Sequence, residues 1–275
     1  MQQVVKDLIA DQVRTVFNDR GRGERPIQRS SDGLFAPNSV AWKVHGEVTT
    51  MMVGGIAALL MQMLHPAVLA GVWDHSNFRN DMQGRLRRTA RFIAVTTYGS
   101  RSEAEQAIER VKTVHRTVTG TLPDGTPYAA SDPSLLTWVH VTETYCFLEA
   151  WKRYADPAMP LSEQDRYIVE MAEIAKRMGC ADVPETYRET VAFMQDHRGE
   201  LTVGPRTREI VALLLDPAIT NIAFLPLQRL SAQAAVDLLP RWARRLHNLK
   251  ASTLGRPVVH GGTSAAARVV RWAFR

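Results

Sequence analysis

DMQGRLRRTARFIAVTTYG, residues 81–99, decides how this chain is read. Arg85, Arg88, Thr89 and Phe92 stand at i, i+3, i+4 and i+7, so they share one face of a helix. Asp81 is placed to cap that helix and Gly99 to stop it, which predicts helix over 82–98. The next run is helical as well. Ser102 opens it, Glu103 and Glu105 suit the positive end of its dipole, and it ends near Gly120. On it His115 lies beside Val111, Val114 and Val118. One helix therefore offers guanidinium groups and a hydroxyl, and its neighbour offers an imidazole among hydrocarbon. These are the parts that hold a flat, anionic, iron-containing cofactor: donors for carboxylates, a neutral nitrogen for the metal and a dry lining.

The same period extends in both directions. Val4, Leu8, Ile9, Val13 and Phe17 predict a first helix over 1–19, and the Gly-, Arg- and Ser-rich stretch 20–38 reads as a loop. From Ser39 helices follow almost without a break. Thr49 or Thr50 caps one running through Leu64, with Gly54-Gly55 allowing close approach of another backbone. Pro66 starts a short helix, and Asp132-Pro133 starts one that stops before Pro157. Ser162 to Asp165 has the form of a capping box. Further helices are expected at 162–178, 184–197, 204–215 and 231–248. Pro123-Asp124-Gly125 is a turn signature. No run of β-branched residues alternates for more than a few positions. The expectation is one all-α domain, residues 1–275, of about nine to eleven helices.

The chain has 275 residues, 45% of them hydrophobic, and a net charge of +6. The basic excess gathers in 79–91 and 241–275. It carries no interleaved aromatics and no zinc-finger, RNA-recognition or helix-turn-helix signature, so nucleic acid is not expected as a partner. Two cysteines, Cys146 and Cys180, make no disulfide framework and suit a reduced compartment. The N-terminus lacks the pattern of a secretory signal. The stretch 51–64 is uncharged but, at about 14 residues, short of the ~20 that a membrane span needs. A cytoplasmic location is expected. Residues 256–275 form a basic, amphipathic terminal segment that either packs on the body or lies on an anionic membrane surface.

Nucleotide-binding glycine motifs and the Gly-x-Ser-x-Gly elbow are missing. No histidine pair has zinc-site spacing, although a non-haem iron site assembled from distant residues stays open on spacing alone. His115 is the candidate metal ligand, the alternative being a satisfied core histidine. His140, in Trp138-Val139-His140, reads as a cofactor contact or as a buried structural residue. Arg85 reads as a partner for cofactor carboxylates, with Thr89 as a donor on the same face. The plainer alternative for Arg85 and Arg88 is a solvated face or pairing with Glu47, Asp74 or Asp81. His65 ends an apolar helix. His197, His247 and His260 read as surface residues.

A longer series of residues carries a resemblance. It runs Trp42-x-x-x-Gly46-Glu47; Gly54-Gly55 through Leu59-Leu60, Gln62 and His65-Pro66; His75-Ser76 and Phe78; Arg85-Leu86-x-Arg88-Thr89; Tyr98-Gly99; His115-x-x-Val118-x-Gly120; Tyr128, Ala130 and Asp132-Pro133; and Trp138-Val139-His140. In this order the chain resembles the MpaB-like and rubber oxygenase (latex-clearing protein) catalytic domain over roughly residues 40 to 180. The resemblance implies an all-α fold binding haem b, with His115 as the iron ligand and Arg85 and Thr89 near the haem. It implies oxidative cleavage of an isoprenoid carbon–carbon double bond by dioxygen. Latex-clearing members have a Lys immediately before that Thr, able to close the distal iron site. Arg88 stands there instead, and a guanidinium is a poor ligand, so the distal side is expected to be open, water-bound or filled by another residue. Arg88 would face bound oxygen or a propionate, and helix 51–64 would line a lipophilic channel. Glu47, with Asp74 as the alternative, is the candidate base. The substrate expected is a lipophilic, isoprenoid-type alkene smaller than rubber. The alternative is a non-catalytic helical protein that binds a lipid or small molecule.

Overall fold

The computed structural model describes residues 26–216, 225–251 and 261–265, with isolated positions 2 and 268. The helix expected at 1–19, most of the terminal segment 256–275, and His260 lie outside the described residues. Among those described, eleven α-helices lie between residues 40 and 246: α1 (Val40–His45), α2 (Val48–Gln62), α3 (Pro66–His75), α4 (Met82–Tyr98), α5 (Arg101–Thr117), α6 (Pro133–Tyr154), α7 (Leu161–Met178), α8 (Tyr187–Asp196), α9 (Pro205–Leu215), α10 (Leu225–Leu238) and α11 (Arg241–Leu246). The expected all-α class holds. The one addition is a two-stranded hairpin between α5 and α6, β1 (Thr119–Thr121) and β2 (Pro127–Ala129), closed by the predicted turn, in which Gly125 takes a positive φ of 91°.

The centre of the fold is the α2–α6 pair. Its two helices run antiparallel: Gly54 lies against Cys146 and Phe147, and the Gln62 side chain donates to the Val139 carbonyl at 3.3 Å. Gly54 is required there, because a Cβ would meet Phe147 Cδ1 at 2.7 Å and the Cys146 carbonyl at 3.0 Å. Val53, Ala57, Leu60 and Met61 of α2, with Trp138 and Cys146 of α6, are essentially fully buried. Burying each large aliphatic side chain is worth about 1.5–3 kcal/mol, so this seam contributes several such increments to stability. α10 packs on α2 from one side, and α4 and α5 form an antiparallel hairpin turning at Gly99 and Ser100. No single described helix is long and apolar enough to cross a membrane; α2 and α3 together pass by composition but are bent by 105°.

Several helix boundaries differ from expectation, at α2 and α5 because a better-placed oxygen lies nearby. Glu47, not Thr49 or Thr50, caps α2. Ser100, in a full capping box with Glu103, caps α5 two residues before Ser102. The first residue of α7 follows Pro160, so Ser162 lies inside the helix and its expected box does not form. The helix expected over 231–248 is two, because Pro240 cannot donate within a helix. His247, expected on the surface, is buried and its Nε2 bonds the Leu60 carbonyl at 2.8 Å. His197, also expected there, stacks on Phe193 with ring centroids 3.9 Å apart.

Candidate functional site

Helix register brings four chemically distinctive side chains to one level of the bundle. The α2–α6 pairing sets His140 and Glu143 opposite positions 58–61 of α2. Leu59 and Met63 of α2 share a small apolar crevice with Met82 and Arg85 of α4, which fixes Arg85 at the same height. The α4–α5 hairpin then carries His115 back to the level of the first turns of α4. Beyond His115, the β hairpin ties this end together: His75 Nε2 bonds the Thr119 carbonyl at 3.0 Å, and the Tyr128 hydroxyl donates to Asp74 at 2.8 Å.

Each of the four is electrostatically unsatisfied. Arg85 is largely buried; its side chain donates to the Ser76 hydroxyl at 3.2 Å and pairs with no carboxylate among the described residues. Burial, with the neighbouring Arg88 charge, pulls its pKa from 12.5 down to about 10. His115 is half-buried, its Nδ1 is shielded from solvent without a hydrogen-bond partner, and burial lowers its pKa so that the ring is neutral at pH 7. Burial pushes His140 down to about 4 and Glu143 up to about 7. Neither makes a hydrogen bond or ion pair with a described residue, yet both keep partial accessibility. Partial accessibility in the middle of α6, the helix packed along α2, marks a recess beside the two. Met52, Gly55, Ile56 and Leu59 of α2 and Val139 of α6 are likewise left partly uncovered, so the wall of the recess is hydrocarbon.

The remaining expected residues sit elsewhere. Arg88 is exposed and pairs with Asp81 at 3.1 Å, and the Thr89 hydroxyl, also exposed, donates to the Arg85 carbonyl at 3.3 Å. Glu47 is buried as the cap of α2, accepting from the Thr49 amide. It lies twelve residues before Leu59, about 18 Å along the helix at 1.5 Å per residue. Asp74 is engaged by Tyr128 and, at 3.5 Å, by Arg206. Val114, expected beside His115 among hydrocarbon, is 54% exposed. Glu143 was not anticipated. Its signal is that it is the one acid on the α6 stripe Leu136, Val139, His140, Glu143, Phe147.

The family described as ER-bound oxygenase mpaB/B'/Rubber oxygenase, catalytic domain, matches residues 42–272. The chain belongs to that family. The match extends well past residue 180, so the C-terminal helices α8 to α11 are part of this mpaB/rubber oxygenase domain. No curated protein and no solved structure matches the chain. As a member of an oxygenase family, the domain has a small-molecule substrate and dioxygen as its general reactants.

The side chains present would fit a haem. No group of three or more metal-ligating side chains occurs among the described residues, and His115 offers a single unpartnered ring nitrogen. The buried guanidinium of Arg85, lacking a carboxylate, matches a propionate.

Proposed function

We propose that this domain is a haem b-dependent oxygenase that cleaves a carbon–carbon double bond of a lipophilic, isoprenoid-type substrate with dioxygen. One observation carries the reading. A neutral, unpartnered imidazole, His115, and a largely buried guanidinium without a carboxylate partner among the described residues, Arg85, lie at matching heights on the paired helices α5 and α4, and Arg85 lines an apolar crevice with Leu59, Met63 and Met82. A buried cation without a counter-charge is costly, and a propionate supplies one. Haem bound there supplies the redox chemistry with dioxygen.

The chain's own residues do the rest. His115 offers an uncharged ring nitrogen to iron. Arg85 binds a propionate by a charge-assisted hydrogen bond. Arg88 can exchange Asp81 for a second propionate, because an exposed ion pair is worth at most about 1 kcal/mol. Thr89 supports the Arg85 turn of α4 through its back-bond, and His140 contacts the cofactor or the substrate from α6. The part-exposed apolar stripe of α2 admits the hydrocarbon and excludes water. Glu47 holds the start of α2, and the carboxyl that stands at the recess is Glu143.

The test is a visible spectrum of the protein reconstituted with haem. A Soret band in the wild type that is lost together with alkene cleavage in His115→Ala supports the reading. No band after reconstitution overturns it. A His115→Ala protein that still binds a prenyl ligand, from a wild type without haem, points to a carrier of the same fold.

A further inference from the structure

Glu143 has been given no role above, His140 only a contact, and the fold gives neither a partner among the described residues. Buried polar side chains almost always have hydrogen-bond partners, and leaving one unsatisfied is unfavourable. Here two stand one helical turn apart on α6, about 5–6 Å between their Cβ atoms; both are partly accessible and neither has a partner among the described residues, so solvent or a ligand must supply one. Tyr167 is the nearest polar neighbour from α7 and feels the Glu143 carboxyl electrostatically, but its donor is spent. The Thr97 hydroxyl gives its proton to the Ile93 carbonyl at 2.7 Å, so it accepts from His45 Nδ1 at 2.8 Å. That leaves His45 Nε2 to accept the Tyr167 proton at 2.9 Å. The other titratable neighbour, Cys146, is a buried thiol, and the partly uncovered residues of α2 at this level, Gly55, Ile56 and Leu59, carry no polar side chain.

We propose that Glu143 and His140 are the polar end of the recess, and that they hold a single uncharged head group, a hydroxyl or carbonyl, on an otherwise lipophilic ligand. In its protonated form, the one that dominates below about pH 7, the Glu143 carboxyl contributes one donor and an acceptor, and the neutral imidazole one of each. A hydroxyl satisfies a donor and an acceptor at once. A plain hydrocarbon leaves both groups orphaned. An amine would take the carboxyl proton and bury an ion pair, whose desolvation opposes binding. This inference rests on the recess being the substrate site of the proposed oxygenase, but not on haem.

The experiment titrates the full chain, with and without added haem, with three compounds of one short prenyl skeleton: the alcohol, the amine and the hydrocarbon. Binding is read by intrinsic tryptophan fluorescence. The alcohol is expected to bind about tenfold more tightly than the hydrocarbon, the value of one hydrogen bond near 1.4 kcal/mol. Glu143→Gln keeps this preference, since an amide both donates and accepts, and Glu143→Leu abolishes it. The infrared carbonyl stretch of a protonated carboxyl should shift when the alcohol binds and be missing in Glu143→Gln. Equal affinity for alcohol and hydrocarbon, preference for the amine, no binding of any of the three, or a preference that survives in Glu143→Leu each overturns the proposal. If neither variant folds, the wild-type ranking and the infrared shift decide. A protein that takes no haem but keeps the alcohol preference overturns the oxygenase reading alone. A Soret band without the preference overturns this inference alone.

Discussion

Replacing Glu143 by Gln should change how stability depends on pH more than it changes stability itself. In the unfolded chain this carboxyl titrates near 4.5, and in the folded protein burial moves it up to about 7. Between these values the native state holds a proton that the unfolded state has released. Stability therefore falls as pH rises from 4.5 through 7 and then levels off. At about 1.36 kcal/mol per tenfold change in proton affinity, the wild type carries a penalty of about 1 kcal/mol at pH 5 and about 3 kcal/mol at pH 8. Glutamine has the same shape and does not ionise. Whatever offset the amide brings, the variant should gain on the wild type by about 2 kcal/mol between pH 5 and pH 8. With about 2.1 cal/mol/K of unfolding entropy per residue, that is a relative gain in Tm of about 4 °C for this chain. The buried imidazoles His140 and His45, held down to about 4 and about 3, titrate in the opposite sense. Their contributions are lost as pH falls below 6.5, but they are common to both proteins and cancel in the difference. Urea denaturation at pH 5, 6, 7 and 8 measures the gap. A gap that stays constant across the series would show that the Glu143 carboxyl is not desolvated, and the account of the recess would fail with it.

Two further substitutions probe the seam and the cation. Gly54→Ala should destabilise the fold by roughly 1–3 kcal/mol, read as a lower urea midpoint, because the new methyl meets the Cys146 carbonyl and Phe147 Cα at 3.0 Å and backbone cannot swing aside. A midpoint unchanged from wild type would mean that α2 and α6 are less tightly registered than described. Arg85→Met should leave the haem-free protein at least as stable, since it removes a buried charge without a carboxylate partner. The same variant should bind haem about tenfold or more weakly in a Soret titration; undiminished affinity would place the propionates elsewhere.

The helices were legible because period and punctuation agree. Asp81 accepts from the Gly84 amide at 2.9 Å and Gly99 ends α4, as the sequence suggests. What was not legible are choices among adjacent polar residues. Ser100 and Ser102 are equivalent to a pattern reader, since each has a Glu three residues on, yet only Ser100 and Glu103 form the reciprocal bonds of the box. The hairpin at 119–129 was missed because three-residue strands offer too few positions for alternation to register.

The site was legible in part, for a physical reason that separates its residues. Arg85 and His115 lie on neighbouring amphipathic helices, and a hairpin turn of known place fixes their relative height, so sequence spacing already sets them level. Glu143 depends on a contact between α2 and α6, about ninety positions apart, and nothing local announces that its stripe turns inward. Its anomaly is visible only once α6 is seen to have hydrocarbon on that face and no cation anywhere along it. The same long-range placement moves Glu47 from a candidate base to a helix cap: the carboxyl is buried, but its partner is the first turn of α2, and the recess lies about 18 Å further along the same helix. A buried carboxyl at the start of α2 and a partly accessible one on α6 thus divide the work. One fixes a helix start through local amides, and the other, given no partner by the fold, is left for a ligand.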